Sequence, residues 1–268
     1  MTALRIRVLS GLAVGIGVLV LALSGAYGVY GLVVIIVGLS LWEFRGLTVH
    51  IGSPAPFWLL FPLGAYFAFG GTAWGQGVDL VLALALIPGL SIFLIARDPR
   101  DGFGRWAMGL AGAVYIGVPF SFYLRIYHSG PGKVGLVLTL LTLLSVAATD
   151  VAALVVGSRF GRRPFFARIS PNKTLEGALA GVVGAALIFG LGGSLWLNFP
   201  AVICAVLGVL VGMTAEVGDL VESQMKRAAG VKDSSNLIPG HGGVLDRVDS
   251  ALFPPIIVFV YAAAWHLI

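Results

Sequence analysis

Val134-Gly135-Leu136-Val137-Leu138-Thr139-Leu140-Leu141-Thr142-Leu143-Leu144-Ser145-Val146-Ala147-Ala148-Thr149-Asp150-Val151-Ala152-Ala153-Leu154-Val155-Val156-Gly157 contains one charge, Asp150. A helix needs roughly 20 mostly apolar residues to cross a bilayer, and this run is long enough. The whole chain has the same character: of 268 residues, 58% are apolar and 11% are charged. Soluble domains carry about 25% charged and 45–50% apolar residues. A soluble enzyme, a disordered tail and a collagen-like chain are excluded, and the reading is an all-α polytopic membrane protein. Its one cysteine, Cys204, lies in an apolar run and reads as a packing residue. The formal net charge of +5 then reports topology or anionic phosphate partners rather than nucleic acid.

Eight further runs join the first, giving nine candidate spans: 8–25, 27–44, 56–72, 78–96, 106–127, 134–157, 175–196, 199–221 and 249–267. The third is interrupted by Pro56, Pro62 and the Gly70-Gly71 pair. Arg5 and Arg7 precede the first as in a secretory signal, but a second span follows almost at once, so the first reads as retained. With a cytoplasmic N-terminus, one side receives Arg5, Arg7, Arg45, Arg97, Arg100, Arg105, Arg159, Arg162, Arg163, Arg168, Lys173, Lys226, Arg227, Lys232 and Arg247. The other receives only Arg125 and Lys133. That asymmetry sets the orientation by the positive-inside rule, with the N-terminus in, the C-terminus out and the polar loops in the cytoplasm.

The chain divides by chemistry. Residues 1–140 hold four acids, Glu43, Asp79, Asp98 and Asp101, all near span ends or in loops, and read as a transmembrane scaffold. Residues 141–268 hold the other eight and both long polar cytoplasmic segments, 158–174 and 222–248, and read as the catalytic region.

Ionisable groups at or inside a membrane boundary suggest function by default. Glu216 and Asp219 close the eighth run, and at 100° per residue positions 216, 219, 223 and 226 share one helical face. That stripe offers two carboxylates, the Ser223 hydroxyl and the Lys226 ammonium. Asp246 and Asp249, three apart, point one way if their segment is helical. Such carboxylates suit Mg²⁺, which takes one or two protein carboxylates and leaves the rest of its shell to water and phosphate. The ordinary alternative is structural pairing with Lys226, Arg227 or Arg247.

The segment 158–174 is basic and ends Ser170-Pro171-Asn172-Lys173-Thr174, directly before the seventh span. Ser170 or Asn172 is the expected helix cap, and the helix start with Lys173 forms a phosphate-binding candidate. It lacks the G-x-x-x-x-G-K-[ST] pattern of a P-loop. Read without a partner, it is a positive-inside loop that attracts anionic head groups.

The most informative stretch is Ser223-Gln224-Met225-Lys226-Arg227-Ala228-Ala229-Gly230-Val231-Lys232-Asp233-Ser234-Ser235-Asn236-Leu237-Ile238-Pro239-Gly240-His241-Gly242-Gly243-Val244-Leu245-Asp246-Arg247-Val248-Asp249. It offers three cations (Lys226, Arg227 and Lys232), then a Pro-Gly-His-Gly-Gly turn through which backbone can approach a ligand, and then the acids Asp246 and Asp249 on a helix start. His241 reads as a turn residue before it reads as a metal ligand.

This stretch resembles the signature of the phosphatidate cytidylyltransferases, S-x-[apolar]-K-R-x4-K-D-x-[GSA]-x2-[apolar]-P-x-H-G-G-[apolar]-x-D-R-[apolar]-D, and meets every fixed position. Trp42-Glu43-Phe44 and residues 170–174 resemble the same family. One departure stands out: the family follows its aspartate with Gly-Ala-Tyr, whereas Asp150 precedes Val151-Ala152-Ala153, so Asp150 is left outside the assigned site.

The resemblance implies transfer of CMP from CTP to phosphatidic acid, giving CDP-diacylglycerol and pyrophosphate, by a membrane enzyme that is often a homodimer. It also implies a two-cation centre of Mg²⁺, with K⁺ the candidate second ion. On that reading Asp219 and Asp246 are principal metal ligands, with Asp249 and Glu216 in support. Lys226, Arg227, Lys232 and Arg247 bind triphosphate and pyrophosphate oxygens. Lys173 and its neighbours Asn172 and Thr174 hold a phosphate of either substrate, and Ser223, His241 and Gly242 complete the substrate contacts. A CTP-dependent lipid kinase and, further off, a transporter are the competing readings; a transporter should show matched broken helices in its two halves.

Overall fold

A computed structural model describes residues 11, 15–21, 23–73 and 98–268. Its elements are α1 (Ala26–His50), α2 (Phe57–Ala73), α3 (Pro99–Tyr127), α4 (Val134–Phe160), α5 (Leu175–Leu197), α6 (Ala201–Ala228), α7 (Leu245–Val248), a 3₁₀ turn (Asp249–Ala251) and α8 (Pro254–Ala264). Among the described residues the fold is all-α, and six helical segments are long and apolar enough to cross a membrane: α1, α3, α4, α5, α6 and Leu245–Ala264. They match the expected second, fifth, sixth, seventh, eighth and ninth spans. The expected third corresponds to the shorter α2, whose helix contains Pro62. The first span is described only in part, and the fourth lies wholly outside the described residues.

The ninth span is not one regular helix. It opens as α7, tightens into the 3₁₀ turn and restarts at Pro254-Pro255, where prolines occupy the first helical positions and need no hydrogen-bond acceptor. The single helical stripe expected for Asp246 and Asp249 is therefore broken between them.

Two compact units emerge, residues 1–124 with 225–248, and residues 125–224 with 249–268. These follow packing, whereas the division at residue 140 follows the chemistry of the sequence.

In the first unit, α1, α2 and α3 approach closely because glycines leave room for large neighbours. A Cβ on Gly64 would meet Leu41 Cδ1 at 2.6 Å, and one on Gly109 would meet Leu59 Cδ2 at 2.8 Å. Leu41, Leu60, Ile116 and Leu124 are fully buried there. Such close packing is what holds helices together where the surroundings are as apolar as the side chains.

The second unit works the same way. Gly177, Gly181 and Gly184 on α5 face Ala153, Thr149 and Ala148 of α4, and Gly208 and Gly212 on α6 face Ala185 and Val182 of α5. Phe189, Leu141, Leu207, Val211 and Val258 form the core. The hydroxyls of Thr139, Thr142 and Thr149 donate to the carbonyls of Gly135, Leu138 and Ser145, so these polar groups are satisfied inside α4. Large apolar side chains point outward, with Leu195 73% and Val202 76% exposed, as lipid-facing surface requires.

Candidate functional site

The signature loop, in the first unit, is built around two carboxylates. Pro239 and Gly240 occupy the centre of a turn closed by His241 N–H donating to Ile238 O at 2.9 Å, with Ile238 N–H donating to Gly242 O at 2.8 Å. Gly240 takes φ 76°, the left-handed value that the third position of a type II turn demands. The turn edges a cavity of about 580 Å³ lined by Lys232, Asp233, Asn236, Ile238, Pro239, Gly240, His241, Gly242 and Arg247. Two fixed cations against one acid make it a cationic, mostly polar pocket within the size range of small-ligand sites.

Asp246 anchors the loop from α7. Its Oδ1 accepts from Lys226 Nζ at 2.6 Å. Its Oδ2 accepts from Ser234 N–H at 2.9 Å, Ser234 Oγ at 2.8 Å and Gly243 N–H at 2.7 Å. The side chains of Lys226 and Asp246 are 13% and 4% exposed, so this is a nearly buried, charge-assisted contact. Sequence reasoning assigns both residues to the site, and the structure joins them directly.

It missed Glu43. Read from the sequence, this acid sits at a span end in the scaffold half. In the structure it lies within α1 at 1% exposure and accepts four hydrogen bonds from the signature loop. Oε1 accepts from Ser235 Oγ at 2.6 Å and Val244 N–H at 2.9 Å. Oε2 accepts from Leu245 N–H at 2.6 Å and lies 3.1 Å from Ser234 Oγ, whose one proton it shares with Asp246 Oδ2. The available signal was a carboxylate inside an apolar helical run, flanked by Trp42 and Phe44.

The second unit holds the other cluster. Lys173 Nζ donates to Glu216 Oε2 at 2.6 Å and pairs with Asp219 Oδ2 at 2.8 Å, and Ser223 Oγ donates to Asp219 Oδ1 at 3.2 Å. The helical stripe expected at 216, 219 and 223 is present on the uninterrupted α6. Asp150 lies within electrostatic reach of Asp219 and Glu216, and Ser250 Oγ bridges Asp150 at 3.4 Å and Asp249 at 3.3 Å. Burial alone would lower the pKa of Lys173, but the charges of Asp219 and Glu216 and its hydrogen bonds to them outweigh that and hold it above the usual lysine value.

The start of α5 explains how Lys173 is held. The cap is Thr174, not Ser170 or Asn172: its Oγ1 accepts from Gly177 N–H at 3.2 Å. Glu176 reaches back to accept from the N–H groups of Arg162 and Arg163 at 3.0 and 3.2 Å. Phe165 N–H donates to Lys173 O and Leu175 N–H to Arg163 O, both at 2.9 Å, so the two ends of the loop are tied together. Backbone on both sides of Lys173 is thereby fixed. Asn172 and Arg227 are exposed.

The donor chemistry of this second cluster fits Mg²⁺: its carboxylates are oxygen ligands, and several lie close together. Among the described residues, no group of three or more His, Cys, Asp or Glu side chains converges enough to hold an ion on its own.

Among the described residues, helical segments long and apolar enough to cross a membrane, with polar side chains clustered at helix ends and in loops, define an all-α integral membrane protein. A family model described as "Cytidylyltransferase family" matches residues 5–265, and the chain belongs to that family. It is 46% identical over 129 residues to the phosphatidate cytidylyltransferase of Synechocystis, covering 47% of this chain and 43% of that protein. It is 36% identical over 205 residues to phosphatidate cytidylyltransferase 4, chloroplastic, of Arabidopsis thaliana, covering 68% and 51%. With the phosphatidate cytidylyltransferase of Staphylococcus aureus it shares 34% over 182 residues, covering 67% and 68%. The chain spans about half the length of several of the curated relatives it matches.

Proposed function

We propose that this chain transfers CMP from CTP to phosphatidic acid, releasing pyrophosphate and leaving CDP-diacylglycerol in the membrane. The observation that carries the reading is the cationic pocket formed by Lys232, His241 and Arg247 within the signature loop. A phosphate oxygen of the lipid attacks the α-phosphorus of CTP, a P–O bond forms, and the bond to the β-phosphate breaks. The lipid phosphate is already a competent nucleophile, so no activated serine is required. The chain must bind the triphosphate, align attack and leaving group, and neutralise charge.

Lys232 and Arg247 bind triphosphate oxygens, and His241 and Gly242 offer contacts at the same pocket. Lys226 and Arg227 belong to the same phosphate-binding set. Lys173, with Asn172 and Thr174 beside it, receives a phosphate when one displaces its carboxylate partners. Asp219 and Glu216, with Asp249 and Ser223, would hold Mg²⁺, which when bound neutralises developing phosphate charge. Asp246 stands as an expected ligand whose oxygens are engaged by Lys226 and the loop. K⁺ remains the candidate second ion. The reading places the enzyme, as a homodimer, in a bacterial inner membrane with its site at the cytoplasmic face, where soluble CTP meets lipid.

The test is purified protein with phosphatidate, Mg²⁺ and CTP labelled at either the α or the γ phosphate. Label entering lipid only from the α position is the expected result. Label from the γ position would make the protein a lipid kinase, and no label from either would end both readings.

A further inference from the structure

We propose that Glu43 is a positioning residue: its buried carboxylate holds residues 234–245 in the form that presents Lys232, His241 and Arg247 to the triphosphate. The inference rests on the proposed cytidylyl transfer for its kinetic consequence and on geometry alone for its structural one.

The geometry is specific. Each oxygen of Glu43 accepts one serine hydroxyl and one backbone N–H, so both ends of the loop converge on one side chain. Ser234 and Ser235 are the first residues after Asp233 of the pocket wall, and Val244 and Leu245 follow its Gly242 edge. The link to Asp246 is direct, because Ser234 Oγ lies 3.1 Å from Glu43 Oε2 and 2.8 Å from Asp246 Oδ2. That hydroxyl has one proton to offer two carboxylates, so a change at Glu43 is felt at Asp246 and its Lys226 partner.

Gly243 fits the same account. A Cβ there would meet both Glu43 oxygens at 2.6 Å and collide with Ser234 Oγ. The second glycine of the His-Gly-Gly turn is thus required by the close approach of a helix carboxylate.

Glu43→Gln keeps shape but replaces one acceptor oxygen with an N–H₂ donor. Either orientation sets that donor against a backbone N–H, of Val244 or of Leu245, so the loop loses an anchor whichever way the amide turns. The experiment compares wild type and Glu43→Gln for steady-state kinetics and for amide hydrogen exchange across 230–248. The expected result is a KM for CTP raised about tenfold, the size of one lost charge-assisted hydrogen bond, with the KM for phosphatidate held within about twofold. Exchange should quicken at Val244 and Leu245 and stay unchanged in α5.

Unaltered CTP KM and unaltered exchange would overturn the proposal. So would equal losses in every kinetic constant with general acceleration of exchange, which mark a merely structural acid. Should Glu43→Gln not fold, Ser235→Ala, which removes one of four donors, should raise the CTP KM by a smaller factor and quicken exchange in the same segment. No change in either there also overturns it. A wild-type protein without cytidylyl transfer would fail the functional reading, while the exchange comparison would still decide whether Glu43 holds the loop.

Discussion

Nζ of Lys173, at the end of the loop between α4 and α5, lies 2.8 Å from Oδ2 of Asp219, near the polar end of α6. Glu216 shares the same ammonium at 2.6 Å. Lys173 is therefore the cation that a Mg²⁺ ion or a phosphate would have to replace or join.

Lys173→Met should lower turnover sharply while leaving membrane insertion intact. It also leaves two carboxylates facing each other, so stability in EDTA should fall by about 1–3 kcal/mol, less than for a fully buried pair because Lys173 and Asp219 are partly exposed. Added Mg²⁺ should restore the melting temperature of the variant more than that of wild type. Full activity at saturating substrates would return residues 170–174 to an ordinary positive-inside loop.

The same pair has a definite pH signature. The folded pKa of Lys173 is raised, so its stabilisation is fully present below the unfolded lysine value and is lost as pH rises through the higher folded one. The melting-temperature gap between wild type and Lys173→Met should stay constant from about pH 7 to about pH 9 and close only in more alkaline solution. A gap that closes near neutrality would mean another group is titrating.

Thr174→Ala removes the cap of α5 and should cost about 1 kcal/mol, with Thr174→Ser recovering most of it. Because the cap also fixes the backbone at Lys173, turnover should fall with Thr174→Ala beyond what the melting temperature explains. Thermal melts and kinetics on the three proteins check both parts.

That cap shows where the sequence stops being readable. Ser170, Asn172 and Thr174 all carry capping side chains, and propensity does not choose among them. The choice is made by the pairing of Phe165 with Lys173 and of Arg163 with Leu175, which sets the cap one residue after Lys173. The six spans found among the described residues were legible because a helix that crosses lipid leaves a long, continuous apolar signal. The stripe of Glu216, Asp219 and Ser223 was legible because helical periodicity fixes it. Glu43 was not, since its partners lie some two hundred positions away in the chain and only folding brings them to it. The break between Asp246 and Asp249 was likewise hidden, because it depends on where the 3₁₀ turn falls.

Orientation can be tested with a single introduced cysteine, since Cys204 is 1% exposed and contributes little background. Cysteine placed at Ser158 or Pro171 should react with an impermeant maleimide only when the cytoplasmic side is open. Labelling from the opposite side alone would overturn both the topology and the proposed position of the site.

Asp219→Asn and Asp246→Asn together separate metal binding from loop anchoring. Both changes remove charge with little change of shape. Asp219 has Lys173 and Ser223 as its partners in an acid-rich cluster, so its loss should cut activity by orders of magnitude and raise the Mg²⁺ needed for what remains. Melting temperature should change little, because removing one of several like charges relieves repulsion as it breaks the lysine pair. Asp246 accepts from Lys226, Ser234 and Gly243, and an amide there leaves the Lys226 ammonium nearly buried without its counter-charge. Its variant should lose several degrees of melting temperature as well as activity. If Asp246 also ligates the ion, its Mg²⁺ requirement rises in parallel with that of Asp219→Asn; if it only anchors the loop, the requirement stays at the wild-type value. Titrating Mg²⁺ against activity and melting temperature for both variants reads out the difference, and a stable Asp219→Asn protein with wild-type rate and Mg²⁺ response would remove Asp219 from the metal site.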